Sequence, residues 1–144
     1  MFRHIVVPVD LRHLDQMQRA LRVAADMARH YGARVTYISA TPSAPSTIAR
    51  SPEEFEGKLR AFAASRSEVD GAQAASHMFV VNDLSGDLDH FLSREIDGLN
   101  PDLVIMASHR PGAGDYFWPS HGGHVAAHVA ASVLLVREDV TLPG

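Results

Sequence analysis

Cysteine is absent from the 144 residues. Disulfides and thiolate metal sites are therefore excluded, and a reducing compartment, the cytoplasm, is the expected location. Cationic charge is scarce too: 13 Lys and Arg stand against 17 Asp and Glu, for a net charge of −4. The basic residues are scattered, so no stripe is present that would follow a phosphate backbone, and nucleic acid is not an expected partner. No apolar run approaches the roughly 20 residues that span a bilayer, and Met1 to His4 leads straight into a strand-like segment, so no membrane partner is expected. Three catalytic signatures are missing as well: a Gly-x-Ser-x-Gly elbow, a His-Glu-x-x-His pair and a Gly-Lys-Ser/Thr phosphate loop.

What is present is 46% apolar residues, enough for one buried core, so residues 1–144 read as a single domain with a loosely held tail from Glu138 to Gly144. His4 to Val9 is a short β-branched run, apolar on both faces, as a strand in a covered parallel sheet must be. Leu14, Met17, Leu21, Ala24, Ala25 and Ala28 then recur at helical spacing and Gly32 closes that helix. Arg34 to Ala40 is a second strand. Residues 41–51 hold three Ser, two Thr and two Pro, which marks a connection of unusual length. Ser51, Pro52 and Glu54 open a second helix with an N-cap, a first-turn proline and a capping-box glutamate, and Phe55, Leu59 and Phe62 form its stripe. Ser76 to Val81 is a third strand, and Leu88, Phe91, Leu92 and Ile96 lie on a third helix that stops at Gly98 before Asn100 and Pro101. Leu103 to Ala107, a small-residue helix over Ser120 to Ala131, and Val133 to Val136 complete the pattern. Strands alternating with helices predict an α/β fold, a doubly wound parallel sheet with helices on both faces and ligands at the carboxyl ends of its strands.

Several residues have the right chemistry in the right place. Asp10 directly follows the first strand, where a carboxylate can accept a ribose hydroxyl or serve as a turn former and helix N-terminal acid. Ala107 to Asp115 follows the fourth strand, so its amides and Arg110 can face an anion together. Ser120 with Gly122 and Gly123 opens the last helix, either as a phosphate cradle or as an ordinary serine cap. His121, His124 and His128 recur at helical spacing with His109 nearby, but spacing alone does not close a coordination shell, and solvated or packed histidines are expected instead of a metal site. Tyr116, Phe117 and Trp118 form an aromatic cluster better suited to core or interface packing than to base stacking.

The segments His4 to Asp10, Met106 to Pro111, and Ser120 through Ser132 to Arg137 resemble the two ends of a universal stress protein. In the nucleotide-binding branch of that family three glycines and a Ser or Thr follow the fourth strand; the same spacing falls here on Ala107, Arg110, Pro119 and Ser120. The run Ala-Ser-His-Arg-Pro at 107–111 is similar to that of a small bacterial subgroup associated with ATP binding. Pro119 departs from that subgroup and removes one amide. The resemblance implies a five-stranded sheet of order 3-2-1-4-5, of the adenine-nucleotide alpha-hydrolase-like type. It implies a regulatory stress-response module that binds ATP or a related adenine nucleotide, with magnesium as a possible companion, and without rapid catalysis. By position, the base and ribose would rest against Pro8, Val9, Asp10, Ala40, Met106 and Ala107. The phosphates would lie near His109, Arg110, Ser120, His121 and Gly122. The resemblance further implies a homodimer through Val133 to Val136 and a protein partner it does not identify. Loss of the glycines supports a different expectation, a ligand-free dimeric interaction module of the same fold.

Overall fold

The computed structural model describes residues 1–82, 88–108 and 122–138. The first strand, β1 (His4–Pro8), is buried at every position. A single 3-10 turn at Leu14–Gln16 precedes α1 (Gln18–Tyr31), so the helix starts later than its apolar stripe suggests. Gly32 ends α1 at φ 65°, a left-handed conformation in which a residue without Cβ is unstrained. The chain continues through β2 (Arg34–Thr41) into α2 (Pro52–Asp70). The hydroxyl of Ser51 accepts the Glu54 amide at 3.2 Å, as the cap signature requires. The Glu54 carboxylate reaches back one residue further than expected, accepting the Arg50 amide at 3.3 Å.

β3 (Ala74–Val80) begins two residues before the expected strand, and α3 (Leu88–Gly98) and β4 (Leu103–Ser108) follow. The short α4 (Gly122–His128) leads into β5 (Ser132–Arg137). Helix had been expected up to Ala131, but the Ala130 amide is taken by the Asp97 carboxylate at 3.1 Å, which turns the chain toward the sheet. Residues 120 and 121 of that expected helix lie outside the described residues. So do the aromatic cluster 116–118 and the tail beyond Glu138. Glu138 itself, the first residue of the expected loose tail, is firmly bonded. Its carboxylate accepts the Arg19 amide at 2.8 Å and the Ala20 amide at 2.7 Å. α1 has no side-chain cap of its own, and this anion 119 positions away supplies one.

The five strands form one sheet in the order β3-β2-β1-β4-β5, and every pairing is parallel. Alternation of side chains splits the interior in two. Ile5, Val7, Tyr37, Leu103 and Ile105 pack against Leu21 and Ala24 of α1 and against Phe55, Leu59 and Ala63 of α2. Val6, Ile38, Val104 and Met106 pack against Leu88, Leu92 and Ile96 of α3 and Val125 of α4. Helices thus cover both faces, and no helix among the described residues is long and apolar enough to cross a membrane.

Candidate functional site

The central pair of strands parts toward its carboxyl ends. β1 pairs with β2 as far as Pro8 and Ile38, and β4 pairs with β5 as far as Ser108 and Arg137. The registered pairs of β1 and β4, in contrast, end at Val6 and Val104. Pro8 explains the break. The Val9 amide donates to Ile38 O on β2 at 2.9 Å, so by alternation the nitrogen of Pro8 faces β4 and has no hydrogen to give. A gap of this kind, at the strand where the order reverses, is where doubly wound sheets accept ligands.

Beside it, on the β2 side, lies a cavity lined by Asp10, Leu11, Arg12, Ser39, Ala40 and Thr41 with Pro42, Ser46, Ile48 and Phe55. Its floor is set by Ser39, whose hydroxyl donates to Val9 O at 2.7 Å and ties the ends of β1 and β2 together. Its roof is the long connection between β2 and α2. That strap is held by Asn82, whose Oδ1 accepts the Ser43 amide at 2.9 Å and the Ser43 hydroxyl at 2.6 Å. The Lys58 ammonium donates to Ile48 O from α2. The enclosed space is about 70 Å³, room for a few waters rather than for a ligand needing roughly 300 Å³ or more.

Asp10 is 7% exposed. Its Oδ1 accepts the Arg12 amide at 3.0 Å, forming the turn that the simpler reading of this residue anticipated. The Arg12 guanidinium adds two longer bonds, Nε at 3.3 Å and Nη2 at 3.4 Å. The Asp10 amide donates to the Met17 sulfur at 3.4 Å, which fixes the loop to the start of α1.

Of the residues singled out from the sequence, Asp10 and Ala40 line the cavity, while Pro8 and Val9 are buried behind them. Met106 and Ala107 are enclosed in the two halves of the core and do not line it. Gly122 is packed against β5: a Cβ there would stand 2.7 Å from Leu135 Cδ2. His109, Arg110, Ser120 and His121 lie outside the described residues. His124 and His128 stack with ring centroids 3.9 Å apart, and His128 Nδ1 donates to His124 O at 2.8 Å. Burial, then His128 and His90, push the His124 imidazole below its ordinary range. Among the described residues no group of three or more His, Asp or Glu is placed to hold a metal ion. Arg12, Ser39 and the strap residues were not among the candidates. The unusual length of the strap was the one signal in the sequence that pointed to them.

A doubly wound α/β domain with a parted central strand pair and a roofed cavity at its carboxyl edge is the class that this geometry defines. Within it the chain belongs to the Universal stress protein family, whose sequence model matches residues 1–137. The fold is similar to that of a universal stress protein from Archaeoglobus fulgidus, with a TM-score of 0.68 at 22% identity over 94% of this chain and 98% of that one. It is also similar to the Archaeoglobus fulgidus universal stress protein in complex with dAMP, at 0.65 and 21% over 92% and 96%. An Arabidopsis thaliana member of the family with AMP bound matches at 0.65 and 16% over 94% and 91%.

Proposed function

We propose that this chain is a stress-response regulatory module that binds an adenine nucleotide at the carboxyl edge of β1 and β2. The observation that carries the reading is the buried Asp10 carboxylate on the cavity wall, a strong acceptor set where a ribose hydroxyl can reach it. The complexes of two structural neighbours with dAMP and AMP support it. Pro8, Val9 and Ala40 shape the base and ribose end. Met106 and Ala107 support it from within the core, and the phosphates run toward His109, Arg110, Ser120, His121 and Gly122. The resemblance of the Ala-Ser-His-Arg-Pro run to a subgroup associated with ATP binding favours ATP as the nucleotide. The cavity wall sets its carboxylate against a guanidinium and not against a nucleophile, which supports binding over fast turnover. Without cysteine the chain is suited to the cytoplasm. The space beneath the strap, about 70 Å³, is smaller than a nucleotide, so on this reading binding moves the strap and the ligand stabilises the moved state.

A ligand that binds only the folded chain raises its melting temperature by linkage. AMP, or ATP with magnesium, at millimolar concentration should raise it, and Asp10→Ala should lose the rise. No rise with any adenine nucleotide would leave the second reading, a dimeric interaction module. One observation favours dimerisation in either case. Among the described residues β5 pairs only with β4, and Leu134 and Leu135 on that strand are 36% and 40% exposed. A homodimer through Val133 to Val136 would cover both.

A further inference from the structure

We infer that the chain carries an anion site on the opposite edge of the sheet from the cavity above: a cleft walled by Arg3, Arg29 and Arg34 that takes a small phosphate-bearing molecule with at least two negative charges. The inference does not depend on the nucleotide reading. Arg3 precedes β1, Arg34 opens β2 and Gln73 precedes β3, and these strands are parallel, so all three residues stand at the amino ends. The length of β1, about 17 Å at roughly 3.3 Å per residue, separates this edge from the cavity at Asp10. The Arg34 amide donates to Arg3 O at 3.1 Å and the Val35 amide to Gln73 O at 2.8 Å, so the backbone that carries these side chains is tied across all three strands. α1 and α2 end over the same edge at Gly32 and Gly71, and the space around both glycines is open. The cleft measures about 440 Å³, within the size range of small-molecule sites. No Asp or Glu is among the described residues that line it.

The three arginines are held differently. Arg29 serves the fold: its Nη1 donates to Asp70 O at 2.9 Å, at the carboxyl end of α2, and its Nη2 pairs with Asp26. It thereby answers the partial negative charge, about half a unit, that a helix end presents. Arg3 and Arg34 are left in surplus. Neither forms an ion pair with an acid among the described residues, and the nearby Asp102 carboxylate is taken up by the backbone amides of Arg3 and His4. Arg34 gives one N–H to His4 Nδ1 at 3.3 Å and keeps its other donors. The chain as a whole has a net charge of −4, so the excess of cations belongs to this edge and not to the surface at large. A cleft lined by one sign of charge concentrates counter-ions. Phosphate supplies the missing charge with oxygens disposed in a tetrahedron, so guanidiniums arriving from different segments can each find acceptors, whereas a carboxylate accepts in one plane.

The test is calorimetric titration of the full chain with inorganic pyrophosphate, and separately with citrate, at physiological salt, for the wild type, Arg3→Gln, Arg34→Gln and the double variant. Pyrophosphate should bind the wild type, each single substitution should weaken it about tenfold, and the double variant should lose it. The Arg3 side chain bonds nothing among the described residues, so Arg3→Gln should leave the melting temperature of the unliganded chain unchanged, which separates loss of the site from loss of structure. Citrate should bind the wild type more weakly than pyrophosphate. Failure of pyrophosphate to bind at physiological salt would overturn the site and reduce these arginines to a solvated patch. Binding that both single variants leave unchanged would overturn it as well, by placing the anion elsewhere, for instance with the proposed nucleotide phosphates. Citrate binding as tight as that of pyrophosphate would overturn the assignment to phosphate.

Discussion

His4 shows how one buried polar side chain sets a pH limit on the fold. Its Nε2 lies 2.8 Å from Thr36 Oγ1, and the Arg34 guanidinium donates to its Nδ1 at 3.3 Å. The neutral ring, with its proton on Nε2, satisfies both contacts; a second proton on Nδ1 would face a cation. Burial first, and Arg34 second, hold its pKa below the usual value of 6.5. The unfolded chain then takes up the proton more readily than the folded one. The stabilisation is complete above the unfolded value and is lost as the pH falls below it toward the folded one. Melting temperatures measured from about pH 7.5 down to about pH 5.5 should fall less steeply for His4→Asn than for the wild type; parallel curves would show that His4 is not responsible. At this scale the sequence was least informative. Asp10 was legible because it ends a strand, whereas its partner Arg12 sits in a turn that no periodicity describes. Glu138 gave no signal either, since the amides it caps are more than a hundred positions away.

The element that lies over the cavity is the strap between β2 and α2. Both of its side-chain latches, Asn82 on Ser43 and Lys58 on Ile48, are solvent-exposed. Such bonds contribute about 1 kcal/mol each, so they favour this placement of the strap without locking it. Asn82→Ala removes two of them, and release of the strap should become about thirtyfold more frequent. Trypsin should then cut after the exposed Arg50 faster, and nucleotide should associate faster. Unchanged rates for both would show that the latch does not govern entry. The strap was legible as an irregular segment from its Ser, Thr and Pro content, and the strands and helices from their periods of two and 3.6. Their ends were less so. The stripe of α1 runs back to Leu14 because a 3-10 turn also presents every third residue to one side, and α4 is cut short by Asp97, a residue of another helix.

For the molecule as a whole, the two sheet edges differ in kind. At β3, His77 meets Glu95 of α3 at 2.7 Å, a polar contact beside the strand. At β5 Leu134 and Leu135 are exposed alongside Ser132 and Arg137, and an edge that pairs with no further strand among the described residues is prone to pairing. Leu134→Glu with Leu135→Lys should convert a dimer into a monomer in light scattering while leaving the circular dichroism unchanged; a monomeric wild type would refute pairing through this edge. The parallel order of the sheet was legible from the alternation of strands and helices together with the family resemblance. The parting of β1 from β4 at Pro8 was not, because it depends on which neighbour one missing N–H faces. The position of β1 also bears on how the chain is made. Its flank toward β4 and the amides of Arg3 and His4 are satisfied only once Asp102 arrives, 99 residues after Arg3. A ribosome therefore exposes a largely apolar strand with one bare side for most of translation. Until then the strand is open to pairing with another chain.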